Sequence, residues 1–435
     1  MSQLRQGANN VRLSRRAVSV FAAGVLAMTG AASLTVLAGH ASAAGTQLFP
    51  NLQTLPPRDL RFADANVSSD PNVTTTHRVL QFSNTVTNSG AGRLEVRAHI
   101  DSTLNPPSGP AYERVYDTAG GYTDYPVGSM YYHAVHGHYH YEGWGVYQLW
   151  TKSDYDNWLK SGRTTGNPKW VGSKTTSCII DEEFIRTLPG TPYPGQYGGG
   201  GCQLDSGGNL VEGLSPGWGD TYDWYRFEQW IDIGPAGSSL ADGAYVLRSV
   251  TDPNNQIYES AGKSDTTVES AADNEATTVF TVSGSQILDT DAPTGTLAIN
   301  HVAASTSVAN VTASVIGRDD VSGVKAFRLS NDGTTWSPQI AYTSSASVAT
   351  DASWSLTDSR YGGTAATGTK TVYAQFLDNS GKWGPSTTDT IVYGTVTTSQ
   401  PPPPPPPTSA YSSAVSADGP AGYWRLGETS GTGAA

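Results

Sequence analysis

Apolar and polar residues alternate with a period of two in several parts of this chain, the spacing of strands that bury one face. Leu94, Val96, Ala98 and Ile100 alternate cleanly with polar neighbours. His77 to Val86 alternates more loosely, and Asn88-Ser89-Gly90 between the two runs is a turn signal, so the pair predicts a hairpin. Trp230-Ile231-Asp232-Ile233 and Tyr245-Val246-Leu247 predict further strands, and Ser153 to Lys160 a short helix. Further on, Val372, Ala374 and Phe376 alternate with Thr371, Tyr373 and Gln375, and Asp378-Asn379-Ser380-Gly381 closes that strand. Asn331-Asp332-Gly333 is a hairpin turn signal. The pattern predicts an all-β protein with few short helices.

Composition adds compartment and domain count. Only 15% of the 435 residues are charged, with 48 Gly and 26 Pro, the profile of a β-rich, loop-rich extracellular chain. A net charge of −12 argues against a nucleic-acid partner. Residues 1–43 read as a signal peptide: Arg5, Arg12, Arg15 and Arg16 precede an apolar run from Ala17 to Gly39, and Ala41-Ser42-Ala43 is a small-residue cleavage site. Ser14-Arg15-Arg16 resembles the start of a twin-arginine signal. The expected location is therefore secreted, with attachment to the cell surface as a variant. In an exported chain the only two cysteines, Cys178 and Cys202, read as one disulfide.

Residues 44–285 form a first β domain of catalytic size. Residues 290–395 hold about a hundred residues of short strands and turns, as in an immunoglobulin-like β-sandwich. Residues 396–409 contain seven consecutive prolines, Pro401 to Pro407, a stiff spacer. In residues 410–435, Ala417 to Glu428 resembles the opening strand of laminin-G or concanavalin-like domains, without the length to complete one.

The chemistry concentrates in Tyr131-Tyr132-His133-Ala134-Val135-His136-Gly137-His138-Tyr139-His140, which carries half of the chain's 8 histidines. Neutral imidazole is the commonest metal ligand. On a regular strand His136, His138 and His140 share one face, and His133, of the other parity, faces away. Bringing His136 and His140 onto one ion spans roughly 13 Å of strand, which calls for long reach, twist or a bulge. On spacing alone the group fits a zinc hydrolase, a copper redox centre or a structural ion.

The flanking sequence narrows this. His133-Ala-Val-His136-Gly-His138-Tyr139-His140 resembles the copper-binding segment of lysyl oxidases, with histidines in the same four places. Gly172-Ser173-Lys174-Thr175-Thr176-Ser177-Cys178-Ile179-Ile180-Asp181 resembles that family's lysine-bearing segment. Cys202, Gly213-Leu214-Ser215-Pro216-Gly217 and Asp220-Thr221-Tyr222 resemble its cofactor-tyrosine segment, and Gln229-Trp230-Ile231-Asp232-Ile233 follows in register. The likeness covers roughly residues 48–284. Val135 replaces a cysteine of the animal members, and Tyr132 a tryptophan.

The resemblance implies a copper-dependent amine oxidase whose cofactor, lysine tyrosylquinone, is made from its own side chains: Tyr222 as quinone precursor and Lys174 as cross-linking partner. It implies His136, His138 and His140 as copper ligands and His133 as a group steadying one of them. The substrates would be primary amines, including peptidyl lysine, and O2. The products would be an aldehyde, ammonia and hydrogen peroxide. The base that takes the substrate's α-proton would be a carboxylate near Tyr222, with Asp220, Asp223 and Asp232 as candidates. Arg58-Asp59-Leu60 and the segment 269–275 resemble two stretches that hold calcium in some members, making Asp59, Glu269, Asn274 and Glu275 a candidate calcium set. Ala271 departs from that pattern, and Glu259 is a substitute ligand. Two other readings stand beside the oxidase: a tris-histidine zinc hydrolase, and a non-catalytic adhesion protein with a structural metal, binding matrix glycans or proteins through its C-terminal modules.

Overall fold

The computed structural model describes residues 45–68, 72–185, 191–192, 194–198, 202–259, 273–342 and 350–394. The expected signal segment, the proline-rich linker, the laminin-G-like start and Glu269 lie outside the described residues. The fold is all-β, of sandwich type, with one α-helix, Lys152–Lys160, among the described residues. Thr151 caps that helix, its hydroxyl accepting from Asp154 N at 3.1 Å. No helix among the described residues is long and apolar enough to cross a membrane.

Three sheets build the first unit. In one, the strands run Asn209–Leu214, Leu94–His99, Ser108–Asp117, Tyr122–His133, His138–Tyr141. A second is centred on Thr76–Asn88, flanked by Trp218–Tyr222 and Trp230–Pro235. The third sets Gly243–Thr251 between Gly145–Thr151 and Glu275–Ser283. Two cores result. Val96, Met130, Tyr139, Tyr141, Ile179 and Leu214 share one, and Phe82, Leu149, Ile231, Leu247 and Phe280 share the other.

The hairpin expected between His77–Val86 and Leu94–Ile100 does not form. Leu94–His99 pairs instead with Asn209–Leu214 and Ser108–Asp117, while Thr76–Asn88 centres another sheet. Asn88 turns the chain between the sheets: its side-chain amide donates to Gly92 O at 2.8 Å and to Leu214 O at 2.9 Å. Alternation identifies the buried face of a strand, not its hydrogen-bonding neighbour, which is chosen by the packing of sheets.

The second unit has its own core around Leu297, Val315, Phe327, Val372, Ala374 and Phe376. It stacks a three-stranded sheet (Thr294–Ile299, Asn310–Arg318, Thr350–Ser355) on a five-stranded one whose longest member is Gly368–Asp378. Ser305–Thr306 runs parallel to Thr387–Tyr393 at the edge of the five-stranded sheet. Arg318 reaches across to Glu183 of the first unit at 2.8 Å, and Glu183 also lies 3.7 Å from Arg58. Asp59 N and Leu60 N donate to Asp319 O and Asp320 O, at 3.1 and 2.7 Å.

Candidate functional site

The ten-residue histidine stretch is not one strand. Tyr122–His133 ends at the first histidine, the chain reverses through Ala134 to Gly137, and His138–Tyr141 returns antiparallel. His136 N and Gly137 N both donate to His133 O, at 3.1 and 2.9 Å, and Gly137 takes a positive φ of 73° that suits glycine. The next strand along the chain, Gly145–Thr151, belongs to a different sheet.

The reversal changes which histidines meet. Cross-strand partners share a face, and His133 lies opposite His138, with Tyr131 opposite His140. The other face carries Tyr132 and Tyr139, packed edge-to-face with ring centres 5.3 Å apart against the apolar core. Burying those two tyrosines leaves His133, His138 and His140 on the same side, and the turn brings His136 over them. His133 therefore does not face away as the parity argument required. His133, His136 and His140 each place a nitrogen within 4.8 Å of the other two. His138 Nε2 lies 3.0 Å from His140 Nε2, the separation of two ligands at right angles about 2.1 Å from a shared ion.

The electrostatics favour donors without protons. Burial, reinforced by the Lys174 charge, lowers His136 to about 3 and holds His140 far below the ordinary histidine range. His138 is lowered for the same reasons. These three imidazoles are neutral near pH 7, the state that binds metals. His140 is fully buried, with Nδ1 2.8 Å from Thr176 Oγ1. A hydrogen on Nδ1 donated to Thr176 leaves Nε2 as the open donor facing His138. His133 Nδ1 and His136 Nε2 are buried without a hydrogen-bond partner, so both nitrogens are open to act as donors. Four imidazoles and no sulfur make a donor set that can hold a metal ion.

Lys174 and Tyr222 come together beside this group. Lys174 follows the short strand Trp170–Val171 and is 3% exposed; its Nζ lies 4.2 Å from the centroid of the Tyr222 ring and has no hydrogen-bond partner. Burial lowers its amine to about 8, against the opposing charges of Glu228 and Asp220. Its position is set from three sides. Ser177 and Tyr141 exchange backbone hydrogen bonds at 2.8 and 3.2 Å, Cys178 N donates to the Tyr222 hydroxyl at 2.9 Å, and Tyr139 N donates to Cys202 O at 3.1 Å. The Cys178–Cys202 disulfide, with Cα atoms 5.8 Å apart, ties these contacts together.

No protein-family model matches the chain, and no curated protein sequence does.

Of the three base candidates, Asp220 shares the face of Tyr222 on Trp218–Tyr222. It is 2% exposed, with one carboxylate oxygen 3.2 Å from Ser177 Oγ and the other unpartnered. Burial, with Glu182 nearby, raises it well above the usual carboxylate range. Burial and then the Asp220 charge also raise the Tyr222 phenol. Asp223 is buried and raised by burial, one residue out of phase with Tyr222. Asp232 lies on another strand, held by His77 at 2.7 Å and by Gly234 N.

Of the candidate calcium set, Asp59, Asn274 and Glu275 lie among the described residues. Asn274 donates to Glu259 at 2.8 Å, bringing together one expected ligand and the substitute. Glu275 is occupied by Arg163 and Arg248, at 2.6 and 2.7 Å, and Asp59 sits by Arg58 at the contact with the second unit.

Sequence reasoning missed four neighbours. Glu228 approaches His133 Nε2 at 3.4 Å, Thr176 orients His140, and Arg226 pairs with Glu182 at 3.3 Å. Burial raises Glu182 to about 7, against the pull of Arg226. Thr176 stands two residues beyond Lys174 in the quoted motif, and that proximity was the available signal.

Proposed function

We propose that this chain is a copper-dependent amine oxidase of the lysyl oxidase type. It would convert a primary amine, O2 and water to an aldehyde, ammonia and hydrogen peroxide. The observation that carries the reading is the Lys174 amine over the Tyr222 ring, beside a histidine cluster of metal-donor character. His136, His138 and His140 would hold copper, and the hairpin geometry supports His133 as a fourth donor rather than a group behind them. Copper held there would supply, with O2, the oxidising chemistry by which Tyr222 would become a quinone joined to Lys174.

The chain's own part is positioning and proton control. Lys174 is partly uncharged near neutrality, and its nitrogen lies 4.2 Å from the centre of the ring it would join. Cys178 N holds the Tyr222 oxygen, and the disulfide limits how far the lysine segment can drift. Asp220, with an open oxygen and a raised proton affinity, is suited to take the substrate's α-proton and return it. Burial excludes bulk water from this proton exchange. The chain would be exported, and its second sandwich would serve to present the oxidase to matrix or cell-surface glycans and proteins.

The test is direct. Full-length protein is loaded with Cu2+ in air, stained for quinone redox cycling, and assayed for peroxide with a lysine-containing peptide. Wild type should stain and release peroxide, and Lys174→Ala and Tyr222→Phe should do neither while still binding copper. A colourless, peroxide-silent protein that binds Zn2+ and cleaves an ester or amide would replace the oxidase with the hydrolase reading.

A further inference from the structure

A second cluster of metal-ligating side chains lies far along the chain from the histidines, where the two sandwiches join. Asp289 is in the connection between Gln286–Leu288 and Thr294–Ile299, Asp319 follows Asn310–Arg318, and Asp378 ends Gly368–Asp378. Each places a carboxylate oxygen within 4.8 Å of the other two. Two oxygens bound to one calcium at 2.3–2.6 Å can stand up to about 5 Å apart, so the spacing fits a shared ion.

Acidic clusters are common on surfaces, but this one is buried and incompletely satisfied. Asp378 is fully buried and Asp319 is 5% exposed. In each, one oxygen is used by its own loop. Asp319 Oδ2 accepts from Gly323 N at 2.8 Å and Ser322 Oγ at 3.2 Å, and Asp378 Oδ1 accepts from Lys382 N at 2.7 Å. The other oxygens, Asp319 Oδ1 and Asp378 Oδ2, have no hydrogen-bond partner, and neither has Asp289 Oδ2. Lys382 Nζ binds Asp289 Oδ1 at 2.7 Å, leaving one cation against three carboxylates. Unpaired buried carboxylate oxygens of like charge are costly unless a cation collects them.

We propose that Asp289, Asp319 and Asp378 form a calcium site that clamps the inter-domain connection to the end of the second sandwich. The donor set is all oxygen, without His or Cys, which selects a hard cation over copper or zinc. Calcium tolerates an irregular ligand shell better than magnesium does. The site's position gives it a role. The loop that supplies Asp319 also accepts Asp59 N and Leu60 N from the first unit, so an ion there stiffens the joint itself.

Full-length protein stripped with EDTA is titrated with CaCl2 by calorimetry, and its melting temperature is followed with and without the ion. Wild type should bind with a dissociation constant of about 10⁻⁴–10⁻³ M, the range of extracellular modules, and melt at a higher temperature in calcium. Asp319→Asn and Asp378→Asn should each weaken binding by about tenfold or more, as losing a charged ligand does in sites tuned by ligand charge. In EDTA both should melt no lower than wild type, because each removes one of the crowded like charges. Asp289→Asn, outside any strand, carries the same test if either core variant fails to fold. His136→Ala with His140→Ala should leave calcium binding unchanged. The proposal is overturned if wild type binds no calcium, if the Asp variants bind it as wild type does, or if magnesium gives an equal shift at equal concentration.

Discussion

The Nζ of Lys174 stands 4.2 Å from the centre of the Tyr222 ring, with no hydrogen-bond partner to hold it elsewhere. A buried amine over an aromatic face gains some attraction from the ring while charged, yet burial lowers its proton affinity to about 8. The pair is thus close, desolvated and partly uncharged. Those are the conditions for joining nitrogen to an oxidised ring.

Under the proposed function, that value sets the pH dependence of the step that would join Lys174 to Tyr222. Burial disfavours the charged amine, so the folded pKa lies below the ordinary lysine value and the neutral fraction rises as pH increases. It should grow about tenfold per pH unit up to about pH 8 and level off above it. The rate at which quinone absorbance appears after copper addition measures this. A flat rate between pH 6 and pH 8 would exclude attack by the free amine as the slow step.

Thr176 should matter through His140. Thr176→Val removes the acceptor for Nδ1 and frees the ring to rotate or change tautomer. Copper affinity should fall about 10–100-fold, the usual effect of losing a partner that orients a metal-binding histidine. A competition titration with a chelator reads it, and Thr176→Ser should restore most of the loss.

The histidines should rank differently from what spacing suggests. If the hairpin gathers four donors, His133→Ala should weaken copper binding by about the same factor as His138→Ala, within roughly threefold, given how context-dependent such losses are. Copper spectra of the two variants provide the comparison. A His133→Ala protein that binds copper as wild type does would return His133 to a merely orienting role.

Removing the disulfide should loosen the site before it unfolds the domain. Cys178→Ser with Cys202→Ser opens a loop of 24 residues, which costs about 3 kcal/mol on the chain-entropy model. Thermal melting measures that loss. Because Cys178 N also holds the Tyr222 hydroxyl, quinone yield should drop at temperatures where the variant is still folded.

Glu183 ties the two sandwiches through charge. Fully buried, it faces Arg318 at 2.8 Å and Arg58 at 3.7 Å. Glu183→Ala removes the carboxylate that faces Arg318 while Arg58 keeps Asp59, and should destabilise the fold by about 3–5 kcal/mol, read by denaturant unfolding. Burial works against its ionisation, but the two arginines hold its pKa below the usual range. That part of the stability is therefore lost as pH falls through the depressed value.

Several elements were legible in the chain before folding. The alternation at Val372, Ala374 and Phe376 marks three fully buried residues of one strand, and the two cysteines form the expected disulfide. The helix begins at Lys152, one residue before the expected start, because Thr151 caps it. Each of these rests on local periodicity, capping chemistry or simple counting, which need no knowledge of distant neighbours.

What sequence could not decide was direction and partnership. The parity argument turned His133 away because it assumed a straight strand, whereas Gly137 permits a reversal that puts His133 opposite His138. Which strand lies beside Leu94–His99, that Lys174 stands over Tyr222, and that three aspartates from distant segments converge are all products of sheet packing. The sequence by itself determined strand character, a histidine-rich segment of metal-donor character and one cross-link. The tertiary structure decided which side chains meet, because contacts between residues far apart in sequence depend on how whole sheets bury their faces.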